Sequence, residues 1–60
     1  MKWFEIERKA IENGWRFVRH GRDHDIWRHA EKDYQIQIER HKSKEVKPGL
    51  YYKLKKQIGF

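Results

Sequence analysis

The sequence predicts an α+β domain of order α-β-β-β-α, a three-stranded antiparallel sheet with two helices on one face. Three observations carry that prediction. Apolar residues recur at helical period at both ends of the 60-residue chain, they alternate at strand period between those ends, and the connections are short. Two amphipathic helices are best buried by covering one side of such a sheet, which leaves the other side available for a ligand.

Residues 2–13 carry Trp3, Phe4, Ile6, Ala10 and Ile11 on one side of a helix, with Glu5, Arg8, Lys9 and Glu12 outside. Asn13-Gly14 stops it, since both residues tolerate the left-handed conformation at a helix end. Trp15 to His20 alternates Trp15 and Phe17 against Arg16 and Val18 and reads as a strand, with Gly21 opening a turn. Residues 24–29 form a second strand whose inward face is ambiguous, because the neighbours Ile26 and Trp27 must point oppositely. After a polar connection at Glu31-Lys32-Asp33, Tyr34, Ile36 and Ile38 alternate cleanly inward on a third strand. Residues 40–47 are basic and polar. Pro48 then suits a first helical turn, where its missing N–H has no intrahelical partner to lose. Leu50, Tyr51, Leu54 and Ile58 make the second helix's apolar stripe, Lys53, Lys55 and Lys56 face solvent, and Gly59 closes it.

Sixty residues make at most one domain, spanning 1–60, and a chain this short removes only about 60% of its unfolded surface from water. Three each of Trp, Tyr and Phe offset a mean hydropathy of -1.23, because each aromatic buries roughly 150 to 250 Å². Fifteen Lys and Arg against nine Asp and Glu leave a net charge of +6, which favours polyanions and acidic protein partners in the encounter step. No apolar run approaches the ~18 residues of a membrane span, and the amino terminus lacks a signal-peptide apolar region. A cytoplasmic location without a membrane partner is therefore expected. No cysteine is present, so disulfides and thiolate chemistry are excluded. The four histidines lack a tight ligand pair on a common helix, and neither metal nor cofactor is expected.

Residues 20–27, His20-Gly21-Arg22-Asp23-His24-Asp25-Ile26-Trp27, set an imidazole between acidic neighbours at a turn-to-strand junction. Histidine ordinarily titrates near neutrality and can move protons beside a phosphate-attracting surface. On the residues alone, the plainer reading of His24 is a polar side chain that finishes a turn and bonds backbone.

The element order, together with Gly14-Trp15, Val18-Arg19, the His24 segment, Arg40-His41 and the terminal stretch from Lys47-Pro48-Gly49-Leu50 to Lys56-Gln57-Ile58-Gly59-Phe60, resembles HicA-type toxins over almost the whole chain. The resemblance implies a double-stranded-RNA-binding-domain-like fold. It also implies a ribosome-independent mRNA interferase acting on single-stranded mRNA and neutralised by a HicB-type antitoxin. The family's pattern of Gly-Ser-His-His followed by Ile and an aromatic, set on Ile26 and Trp27, puts its catalytic first His at His24. The chain departs from that pattern with Arg22 for Gly, Asp23 for Ser and Asp25 for the second His, and with Glu39 where Pro often precedes the Arg40-His41 type of segment.

Ribonucleic acid carries its own nucleophile, so metal-free cleavage needs a base for the 2′-hydroxyl and an acid for the departing 5′-oxygen. One histidine can fill one or both roles, a contribution of about 10² to 10⁴ in rate. His24 is the expected catalytic residue, with Asp23 or Asp25 to orient it. Arg22, Arg28, Arg40, His41, Lys42 and Lys44 are the expected RNA contacts, and His41 is the second proton-transfer candidate. Arg16 and Arg19 add to the basic surface, and Trp27 and Tyr34 are available to stack on bases, although burial is the plainer use of both. Two other classes remain open. One is a non-catalytic RNA-binding module of double-stranded-RNA-binding-domain type, which ordinarily needs enough surface to span about 16 base pairs. The other is an adaptor that binds only the antitoxin.

Overall fold

A computed structural model describes residues 1–60. The order is α1 (Trp3–Glu12), β1 (Trp15–His20), β2 (His24–His29), β3 (Gln35–Glu39) and α2 (Pro48–Ile58), as the sequence predicts. The strands form one antiparallel sheet in the order β1-β2-β3, so β1 and β3 are both edges.

Trp27 pairs with Ile36 and Asp25 with Ile38, which places all four on one face. There Trp15, Trp27, Ile36 and Ile38 meet Trp3, Ile6 and Ala10 of α1 and Leu54 and Ile58 of α2 in a single buried cluster. Both helices therefore cover the same face. Burial of Ile26 and Trp27 resolves the ambiguity of β2. Trp27 enters the core, while Ile26 lies on the opposite face between Arg19 and Gln37 and is just as buried.

The helices bury narrower stripes than the periodicity suggests. Positions 3, 6 and 10 of α1 reach the core, while Phe4 and Ile11, about 100° further round, are exposed. Leu50 at the start of α2 is exposed as well, and Lys55 is half-buried over the Phe60 ring, 4.7 Å from its centroid. On the edge strand β1, Phe17 faces the helical side yet stays 46% exposed, packed edge-on to Trp27 and His20. Tyr34 precedes β3 and is partly exposed; its ring lies beside Trp15 and its hydroxyl donates to the Gln57 carbonyl at 2.7 Å.

The 40–47 segment is not a free loop. Its Lys44 and Lys42 carbonyls accept from the Trp3 and Phe4 amides, both at 3.0 Å, which satisfies donors that the first turn of α1 leaves unpaired. The Val46 amide donates to the Met1 carbonyl at 2.8 Å, and Val46 is buried.

Two core tryptophans differ in their polar bookkeeping. The Trp15 indole donates to the Ile58 carbonyl at 3.2 Å, whereas the buried Trp27 indole nitrogen has no partner. Removing a satisfied donor orphans a buried carbonyl, while removing an orphan donor relieves a cost. Trp15→Phe is therefore expected to destabilise more than Trp27→Phe, by about 1 kcal/mol or more, read from urea midpoints at equal slope.

Candidate active site

His24 opens β2 immediately after a tight turn. Gly21 donates its amide to the His24 carbonyl at 2.7 Å, and a Cβ at Gly21 would stand 2.7 Å from that same oxygen, so this hairpin requires glycine there. His24 pairs across the sheet with Glu39, and its Nε2 lies 3.6 Å from Glu39 Oε2. That separation allows charge attraction and is too long for a direct hydrogen bond. The imidazole is 40% exposed and the Glu39 side chain 20%, so one group can meet a ligand while the other steers it.

The carboxylates expected to orient His24 lie elsewhere. Asp25 is the next residue on the strand and points to the opposite face, and Asp23 is exposed in the turn without an ion-pair partner. Glu39 takes their place, at a position where the family resemblance marks a departure.

The face of the sheet that no helix covers is basic. Across it run the rows Arg16, Arg28, Gln35 and Arg19, Ile26, Gln37, ending at His24 and Glu39. Arg16 and Arg28 are directly paired like charges, an arrangement that costs stability in a sheet. None of Arg16, Arg19 and Arg28 has a carboxylate partner; Arg28 reaches only the Gln35 amide oxygen at 3.5 Å. Three unneutralised guanidiniums on the same face as the partly exposed imidazole make a surface suited to phosphates.

The other expected RNA contacts divide. Arg22 is exposed in the turn beside His24. His41 and Lys44 are exposed on the segment after β3, with the His41 amide 3.5 Å from Glu39 Oε1. Arg40 and Lys42 turn toward Asp25 instead. Arg40 Nε donates to Asp25 Oδ1 at 3.2 Å, its guanidinium also donates to the Gly21 carbonyl, and Lys42 Nζ lies 3.5 Å from Asp25 Oδ2. His20 Nδ1 completes this clasp, 2.7 Å from Asp25 Oδ1. Burial of the Asp25 carboxyl pushes its pKa up, but the hydrogen bonds from His20 and Arg40 and the charges of His20 and Lys42 outweigh burial and hold it below the usual carboxylate range.

Composition alone pointed to neither Glu39 nor the His20–Asp25 contact. Both depend on cross-strand register. His29, at the end of β2, is half-buried and bonded through Nε2 to the Asn13 carbonyl at 2.9 Å. No three His, Cys, Asp or Glu side chains converge as a metal-holding group, and no helix is long and apolar enough to cross a membrane.

An open basic sheet face that ends in an imidazole–carboxylate pair, backed by two helices, defines the class of this chain as a small α+β domain with one uncovered, positively charged face. The family model described as the HicA toxin of bacterial toxin-antitoxin matches residues 3–60, and the chain belongs to the HicA toxin family. It is thereby a toxin of a toxin-antitoxin system. A search of curated proteins finds no match.

Proposed function

We propose that this toxin is a metal-independent endoribonuclease, a ribosome-independent mRNA interferase that cleaves single-stranded mRNA with His24 as its acid-base group. The observation that carries the reading is the placement of His24 on the uncovered face, in line with Arg16, Arg19 and Arg28 and beside Glu39. Phosphates held by the arginines bring the sugar-phosphate chain to the imidazole without reading its sequence.

In the reaction, His24 takes the proton of the 2′-hydroxyl as that oxygen attacks phosphorus. The bond from phosphorus to the 5′-oxygen breaks, the leaving oxygen takes a proton from solvent water while the His24 imidazolium gives its own back to solvent, and the products are a 2′,3′-cyclic phosphate and a 5′-hydroxyl. Glu39 attracts the ring and compensates the positive charge that the imidazole gains. Arg22, His41 and Lys44 extend the phosphate-binding surface around the turn and the segment after β3. Arg40 and Lys42 serve it through Asp25, by holding the turn that carries His24.

A HicB-type antitoxin is the partner this reading implies. An acidic antitoxin surface laid over the arginine face would block RNA and neutralise the like-charge pair Arg16–Arg28 at once. The purified chain, incubated with single-stranded RNA and a chelator, is expected to release fragments ending in 2′,3′-cyclic phosphate. Intact RNA that nevertheless shifts in a salt-sensitive way would identify a non-catalytic binder instead.

A further inference from the structure

A groove of about 300 Å³ runs between the free edge of β3 and α2, and His24 is part of its wall. Its size sits at the lower end of ordinary small-ligand sites. The floor comes from the core, where Trp3, Ile36 and Leu54 are all buried. Above that floor stand three amide side chains, Gln35 and Gln37 from β3 and Gln57 from α2, with Lys53 beside them.

Two of the groove's amides and its lysine are unspent. The side-chain amides of Gln37 and Gln57 make no hydrogen bond within the chain, and Lys53 has no carboxylate partner. Gln57 is engaged only through its backbone carbonyl, by the Tyr34 hydroxyl, which ties α2 to the start of β3. An aliphatic ligand would waste the two free amides, and a bare phosphate would waste the apolar floor. A nucleobase uses both, since it has an apolar face and an edge of donors and acceptors, and a glutamine amide offers one of each to that edge.

We infer that this groove is a nucleobase subsite, in which Gln37 and Gln57 read the base of a nucleotide adjoining the scissile phosphate while Lys53 holds a neighbouring phosphate. The inference rests on the proposed action of His24 on RNA, because His24 joins the groove to the arginine face. It turns a sequence-indifferent phosphate surface into an enzyme with a preferred cutting context.

The test uses the whole chain and 2′-O-methyl octanucleotides of A, C or U, which lack the nucleophile and stay intact. The wild-type chain is expected to distinguish the tightest from the weakest of the three by at least about fivefold, the lower bound for one good amide-to-base contact. The double variant Gln37→Ala, Gln57→Ala is expected to bind all three nearly alike, and its thermal melt checks that it is folded. Equal affinities in the wild type, or discrimination that survives in the double variant, would overturn the inference and leave His24 cleavage untouched. Conversely, base-selective binding that depends on the glutamines, together with unmodified RNA left uncut, would retain the subsite and remove the proposed chemistry.

Discussion

Replacing His24 by alanine is expected to lower RNA cleavage by about 10²- to 10⁴-fold while the protein stays folded. The two halves of that result have separate physical causes. The imidazole is 40% exposed and takes no part in the buried cluster, so its removal leaves no core cavity. In the proposed reaction it is also the proton-transfer group, at the end of the arginine face, and its loss leaves the 2′-hydroxyl without a positioned base. Glu39→Gln keeps the shape of its neighbour and removes only the charge 3.6 Å from Nε2, so its loss should be smaller. Single-turnover cleavage of a labelled RNA and a urea melt of each variant measure both halves. Full activity in folded His24→Ala protein would sink the assignment.

The element order and the core were legible because both are written in local periodicity. Ile36 and Ile38 alternate, Leu54 and Ile58 fall one helical turn apart, and all four are buried where that pattern puts them. The candidate site was legible only in part, because it depends on register, which local patterns do not carry. The decisive case is the β-bulge at Val18. Phe17 pairs with Trp27, but the next pair is Arg19 with Ile26, so one extra residue shifts the end of β1. Without that shift His20 would face His24 across the sheet. With it, His20 faces Asp25 and becomes part of the clasp on the helical side.

The family departures gain a structural meaning from the same register. Glu39 lies opposite His24 on the open face, and Asp25 lies next to it on the covered face. One supplies the carboxylate beside the imidazole. The other ties His20, at the end of β1, to Arg40 and Lys42 after β3, and Arg40 in turn donates to the Gly21 carbonyl of the turn before His24. The chain keeps a histidine at the position the resemblance marks as catalytic and sets its own carboxylates around it.

Asp25→Ala is expected to destabilise the fold by about 2 kcal/mol, a large share of the roughly 3 to 5 kcal/mol that a core of this size supplies. The Asp25 side chain is only 10% exposed and accepts from His20 and Arg40 with Lys42 nearby, so its loss strips charged partners of their acceptor. Those partners are 72%, 38% and 26% exposed and regain water in part. The cost therefore stays below the ~3 to 5 kcal/mol of breaking a fully buried pair. The sign with pH follows from the folded carboxyl titrating below its unfolded value. Its contribution is complete at neutral pH, starts to fall as the pH drops through the unfolded value near about 3.9, and is gone below the folded one. Asp25→Asn, which keeps the shape and loses the charge, should be less stable than wild type at pH 7 and by a smaller margin at pH 3, below the unfolded value. Urea midpoints at the two values decide the matter: a gap that persists undiminished in acid would show that packing, and not the charge of Asp25, holds the turn beneath His24.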